Sequence, residues 1–85
     1  FMNLKWKEIS KGTHQAEVED RVFQIQKSGA VWELIEVISS SLHSQNKIYA
    51  YISNTKSLLT ARSLIKKYAN KEIYFDEKCR PKQSA

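Results

Sequence analysis

Glycine, proline and cysteine are scarce in this chain: two Gly, one Pro and one Cys among 85 residues. Long irregular loops are therefore not expected. The lone Cys79 has no internal partner for a disulfide, which fits a reducing, cytoplasmic setting. Long hydrophobic runs are missing as well. The most apolar stretch, Ala30 to Ile38, is broken by Glu33 and Glu36. It falls well short of the ~18–20 consecutive apolar residues a membrane span requires, so no membrane is expected as a partner. The N-terminus alternates charge and bulk through Leu4-Lys5-Trp6-Lys7-Glu8-Ile9, which is not the pattern of a secretory leader. Phe1 precedes Met2, and Met2 is the expected native start.

Chemistry-bearing groups are equally thin. His14, His43 and Cys79 are the only soft or borderline metal ligands, and they lack the paired spacing of structural zinc sites. Cys79 lies between Lys78 and Arg80, cationic neighbours that favour a reactive thiol, but the simpler reading is an exposed cysteine in a polar tail. Glu33 and Glu36 differ by an odd number of residues, so on a strand they face opposite sides and make no carboxylate pair. No glycine-rich phosphate loop is present. The expectation is a protein without enzymatic activity, metal or cofactor.

The charge is what stands out. The formal net charge is +5, and its distribution is uneven. Residues 1–36 carry five basic and six acidic side chains. Residues 37–71 carry Lys47, Lys56, Arg62, Lys66, Lys67 and Lys71 and no acid. Residues 72–85 carry three of each. An acid-free basic block of this kind suits phosphate, anionic lipid or an acidic protein partner.

Hydrophobic periodicity supplies the fold. Leu4 and Trp6, with Ile9 beyond them, suggest a short first strand or an edge segment. Thr13 to Val18 alternates with Ala16 and Val18 on one face; Glu19-Asp20 makes a turn. Arg21 to Lys27 then puts Phe23 and Ile25 on one face and Gln24 and Gln26 on the other. Ser28-Gly29 is the next turn. Val31 to Ile38 is apolar on both faces and so reads as a central strand. The polar stretch from Ser39 to Asn46 reads as a loop. Lys47 to Ile52 alternates again, with Ile48, Ala50 and Ile52 opposite Tyr49 and Tyr51. A helix capped by Ser53 or Asn54 follows, with an apolar stripe of Leu58, Ala61, Leu64, Ile65, Tyr68 and Ala69 and a stop at Asn70. Glu72 to Phe75 adds a last short strand. Residues 2–75 thus read as a single α+β domain, an antiparallel sheet of three to five strands with one C-terminal amphipathic helix packed on one face. Residues 76–85 read as a mobile polar tail.

The order of strands and helix resembles two DNA-binding families, the plant ethylene-response factors and the arm-binding domain of phage integrases. Val31-Trp32-Glu33-Leu34, Ile48-Tyr49-Ala50-Tyr51-Ile52 and Thr55 to Ala69 carry the likeness, about half the chain. Those families read DNA from sheet residues, mostly Arg and Trp, where the matching strands here carry Gln24, Gln26 and glutamates. The helix with Lys66-Lys67-Tyr68-Ala69 is also similar to the last helix of double-stranded-RNA-binding domains. Size and texture resemble those of small phage or plasmid reading frames. The resulting expectation is a small nucleic-acid-binding protein. Lys47, Lys56, Arg62, Lys66, Lys67 and Lys71 would contact phosphate, while Tyr49 and Tyr51 would stack on bases or sugars. The alternative is a protein-binding adaptor or inhibitor that docks through a sheet edge or through the cationic helix, with Trp6 and Trp32 as candidate anchors.

Overall fold

The computed structural model of the chain describes residues 3–39 and 47–84. Five strands, β1 (Lys7–Ser10), β2 (Thr13–Val18), β3 (Arg21–Ser28), β4 (Val31–Ser39) and β5 (Lys47–Thr55), form one antiparallel meander in chain order. The helix α1 (Leu58–Ala69) crosses one face of it. Two short strands, β6 (Ile73–Phe75) and β7 (Pro81–Gln83), form a separate hairpin. This is the expected α+β architecture, at the upper end of the expected strand number. The one sheet with one helical cover follows from the chain's single strong apolar stripe at helical spacing.

The strand registers define two faces. The face under α1 carries the rows His14–Ile25–Leu34–Ser53 and Ala16–Phe23–Glu36–Ala50. Phe23, Ile25 and Leu34 from this face close over Ile52, Ala61, Ile65 and Ala69 to make the core. Leu4, Trp6, Trp32, Leu58, Leu64, Tyr68 and Phe75 ring it, half-buried. The apolar helical stripe is therefore the surface that is buried, and the central position read for Val31 to Ile38 holds, with β4 between β3 and β5. The opposite face carries the rows Gln15–Gln24–Ile35–Tyr51 and Glu17–Val22–Val37–Tyr49. It has no covering element among the described residues. It is less solvated than strict alternation implies, because Thr13, Gln24 and Ile35 are buried there. The Gln24 amide stays satisfied by donating to Gln15 Oε1 at 2.9 Å, as a buried amide must.

Four boundaries differ from the sequence reading. The first strand begins only at Lys7, so Leu4 and Trp6 precede it and pack against the core. The fifth strand does not stop at Ile52. The pairing slips between Leu34 and Ile35, so that Leu34 faces Ser53 and Ile35 faces Tyr51, and the strand runs on to Thr55 across this irregularity. The helix consequently starts later, and its cap is Ser57, whose hydroxyl accepts the Thr60 N–H at 3.4 Å, in place of Ser53 or Asn54. Ser53 instead donates its hydroxyl to the Cys79 carbonyl at 2.6 Å. Finally, the segment after Phe75 is built into the hairpin rather than being a plain polar tail. Pro81, Lys82 and Gln83 pair with Phe75, Tyr74 and Ile73. Pro81 is tolerated because this strand is at an edge, where a missing N–H costs no ladder bond.

Candidate nucleic-acid interface

The residues of α1 divide by their angle around the axis. Ala61, Ile65 and Ala69 point into the core. Lys66 and Lys67 are exposed on the outer side, while Arg62 sits at the border of the stripe, half-buried. No acidic residue occupies the first turn, and Lys66 and Lys67 fall in the last one, where cations meet the negative end of the helix dipole. Beyond the Asn70 cap the chain closes a Schellman turn. The Glu72 N–H donates to the Lys67 carbonyl at 2.9 Å and the Lys71 N–H to the Tyr68 carbonyl at 3.1 Å, with Lys71 in the left-handed region at φ 62.

Arg62 links the helix to the sheet. Its Nη2 lies 3.4 Å from His14 Nδ1, while its Nε is buried without a partner. His14 in turn approaches Glu8 at 3.9 Å and packs its ring on Trp32 at 5.7 Å. Between the N-terminal segment and the helix, Asn3, Leu4, Trp6, Arg62, Ser63 and Lys66 line a shallow hollow of about 480 Å³. Trp6 thus closes one end of the core beside the cationic helix. On the other flank Lys78, Arg80 and Pro81 of the C-terminal hairpin lie beside Thr60 and Leu64. The helix is therefore framed by two segments that bring further cations, although those of the C-terminal hairpin are matched by its own carboxylates.

Dividing the molecule by layer concentrates the charge. The N-terminal segment, the helix with its flanks and the C-terminal hairpin hold nine cations: Lys5, Lys56, Arg62, Lys66, Lys67, Lys71, Lys78, Arg80 and Lys82. They hold three carboxylates, Glu72, Asp76 and Glu77, and Asp76 is bound to Arg80 at 3.0 Å. The five-stranded sheet and its turns hold the remaining five cations against six carboxylates. The entire excess of positive charge therefore resides in the layer on the helix side.

The expected site residues do not all meet. Lys56, Arg62, Lys66, Lys67 and Lys71 belong to the helix layer. Lys47, Tyr49 and Tyr51 project from the uncovered face of β5, since Tyr51 lies across from Ile35 and Tyr49 from Val37. Tyr49 helps to line a second hollow there, of about 400 Å³, with Ile9, Thr13, Gln24 and Ile35. The Tyr51 hydroxyl accepts a hydrogen bond from Asn54. The sheet stands between the two groups, so no single flat ligand touches both the tyrosines and the helical lysines of one chain. Lys5, Lys78 and Lys82 are additions that the sequence did not nominate. They join the layer only because the two ends of the chain pack alongside α1, and no local pattern announces that.

Among the described residues no His, Cys, Asp or Glu side chains gather in a group of three or more that could hold a metal. His43 lies outside the described residues. Cys79 is half-buried in a turn at φ 61, its N–H donating to the Asp76 carbonyl at 2.9 Å. Among the described residues no helix is long and apolar enough to cross a membrane. Set against protein-family models, curated proteins and solved structures, the chain matches none of them.

Proposed function

We propose that this chain is a small non-enzymatic protein that binds nucleic acid through its helix layer. Lys56, Arg62, Lys66, Lys67 and Lys71 contact the phosphate backbone, and Lys5, Lys78 and Lys82 extend the cationic margin. The observation that supports this reading is the uneven division of charge, nine cations to three carboxylates in the helix and the two terminal segments beside it, while the sheet face beneath adds two of each, Arg21 and Lys27 against Glu8 and Glu36. Such a field attracts a polyanion from any direction that faces the helix. Lysine outnumbers arginine in the layer, and a lysine meets phosphate as a point charge without reading a base in bidentate fashion. Arg62 is engaged with His14. Binding is therefore positional and tolerant of sequence. A cytoplasmic setting, where nucleic acid is available and the Cys79 thiol stays reduced, suits it.

Titrating duplex and single-stranded oligonucleotides at several salt concentrations tests the proposal. With about five phosphate contacts, log K falls with log salt at a slope of roughly −4 to −5 on duplex DNA. No binding at low salt ends the reading. One observation favours a second reading, docking of another protein: Ile48, Tyr49 and Tyr51 stand exposed on the edge strand β5, the two tyrosines on the uncovered face. A stoichiometric acidic partner that survives nuclease treatment would replace the first proposal with this one.

A further inference from the structure

We infer that the outer edge of β5 pairs antiparallel with the same strand of a second copy, joining two five-stranded sheets into one of ten. Strand β5 ends the sheet, and its ladder partners are all on β4. Among the described residues no backbone bond from another segment reaches it. A row of unpaired backbone donors and acceptors is a template for another strand.

The two edges are guarded unequally. Strand β1 is four residues long, irregular between Glu8 and Ser10, begins at Lys7 and is flanked by Lys5 and Lys11. Strand β5 has nine residues, its irregularity lies towards the far end, and three of the large exposed hydrophobic side chains fall within Ile48 to Tyr51. The outer edge of the window from Lys47 to Tyr51 is thus regular, largely apolar beyond Lys47 and, among the described residues, unpaired.

The window is also complementary to itself. A two-fold axis through Tyr49, perpendicular to the sheet, keeps each face on its own side and sets Tyr49 against Tyr49. On the uncovered face Lys47 then meets Tyr51, a cation beside an aromatic ring. On the helix face Ile48, 55 % exposed, meets the small Ala50. No like charges oppose one another. Tyr74, half-exposed in the hollow beside Ala50 and Tyr51, adds apolar surface on the same side. The same axis places both helix layers on one side of the joined sheet and a four-tyrosine strip on the other. The contact is short, less than the ~1,000 Å² of a lasting interface, so the dimer is transient.

Light scattering over a concentration series up to about 1 mM, without nucleic acid, reads the pairing directly. The mass rises from 9.9 kDa towards twice that value. Tyr49→Lys, a change at an exposed position that brings two cations together at the axis, weakens association by roughly tenfold. In a Cys79→Ser background, Tyr49→Cys forms a disulfide-linked dimer under mild oxidation, because directly paired strand residues lie within disulfide reach. Tyr51→Cys does not, since its counterpart lies ~13 Å further along the strand. A chain that stays monomeric throughout overturns the inference and leaves this edge to a strand of a different protein. So does a dimer indifferent to Tyr49→Lys, or one that links at position 51 as readily as at position 49.

Discussion

Lys71 holds a conformation that costs a lysine something and a glycine nothing. Its φ of 62 is imposed by the Schellman turn that ends α1. A side chain in the left-handed region is strained by about 1 kcal/mol relative to glycine. Lys71→Gly is therefore expected to raise stability by about 0.5–1 kcal/mol, which is about 2–8 °C in the midpoint of thermal unfolding for a domain of this size. The same variant loses one cation of the helix layer and binds oligonucleotide more weakly, so stability and binding move in opposite directions. Arg21 is the reverse case, a side chain used to the full. Its Nε and Nη2 donate to the two Glu36 oxygens at 2.9 Å each, and its guanidinium lies 4.9 Å from the Phe23 ring centre and 5.4 Å from that of Tyr68. Hydrogen bonding to Glu36 holds the Arg21 pKa above its ordinary value. Arg21→Ala removes the bidentate pair and the ring contacts and leaves Glu36 half-buried without its cation. The expected loss is about 1–3 kcal/mol, read as a lower urea midpoint at unchanged slope.

Among the elements, the β6–β7 hairpin depends on one carboxylate. Asp76 Oδ1 accepts the N–H groups of Lys78 and Arg80 at 2.9 Å, and Oδ2 accepts Arg80 Nε at 3.0 Å. The backbone N–H of Arg80 is the main cause of a pKa below the usual carboxylate value; the N–H of Lys78 and the Arg80 guanidinium add to it. A carboxyl whose pKa is lower folded than unfolded stabilises the fold at pH values above its ordinary pKa of about 3.9. That contribution is lost as pH falls through the lowered, folded value. Acid titration below about pH 4 should therefore shift the amide resonances of Cys79, Arg80 and Ser84 before those of the five-stranded sheet, and Asp76→Asn should abolish the pH dependence.

The same hairpin shows where reading from sequence stops. Strands β2 to β5 were legible because alternation over six or more residues is a strong signal, and the helix because its stripe is complete. Three-residue strands carry no period, so the sequence shows β6 only as a short strand and gives no sign of β7. The helix cap was misplaced because Ser53, Asn54, Thr55 and Ser57 are all competent caps. Only the irregularity opposite Leu34 and Ile35, which keeps β5 extended, decides among them. The basic block was legible as a contiguous run of sequence. Its division was legible too, since alternation already set Tyr49 and Tyr51 opposite Ile48, Ala50 and Ile52. What could not be read was that both ends of the chain pack alongside α1, because no local pattern sets their position.

At the scale of the whole molecule, winding the chain once across the sheet and once back over it sorts charge by layer. The sheet is close to neutral and the helix layer holds the surplus. A polyanion held by that layer leaves the tyrosine face of β5 free, and the two-fold pairing proposed for β5 turns both helix layers to the same side. The most direct measurement is the salt slope of oligonucleotide binding for variants of the two faces, at protein concentrations too low for self-pairing. Lys66→Gln with Lys67→Gln should reduce the slope by about two, close to one unit for each phosphate contact removed. Lys47→Gln with Tyr51→Ser should leave it unchanged. The opposite pattern, a slope carried by Lys47 and Tyr51 and indifferent to Lys66 and Lys67, would contradict the account.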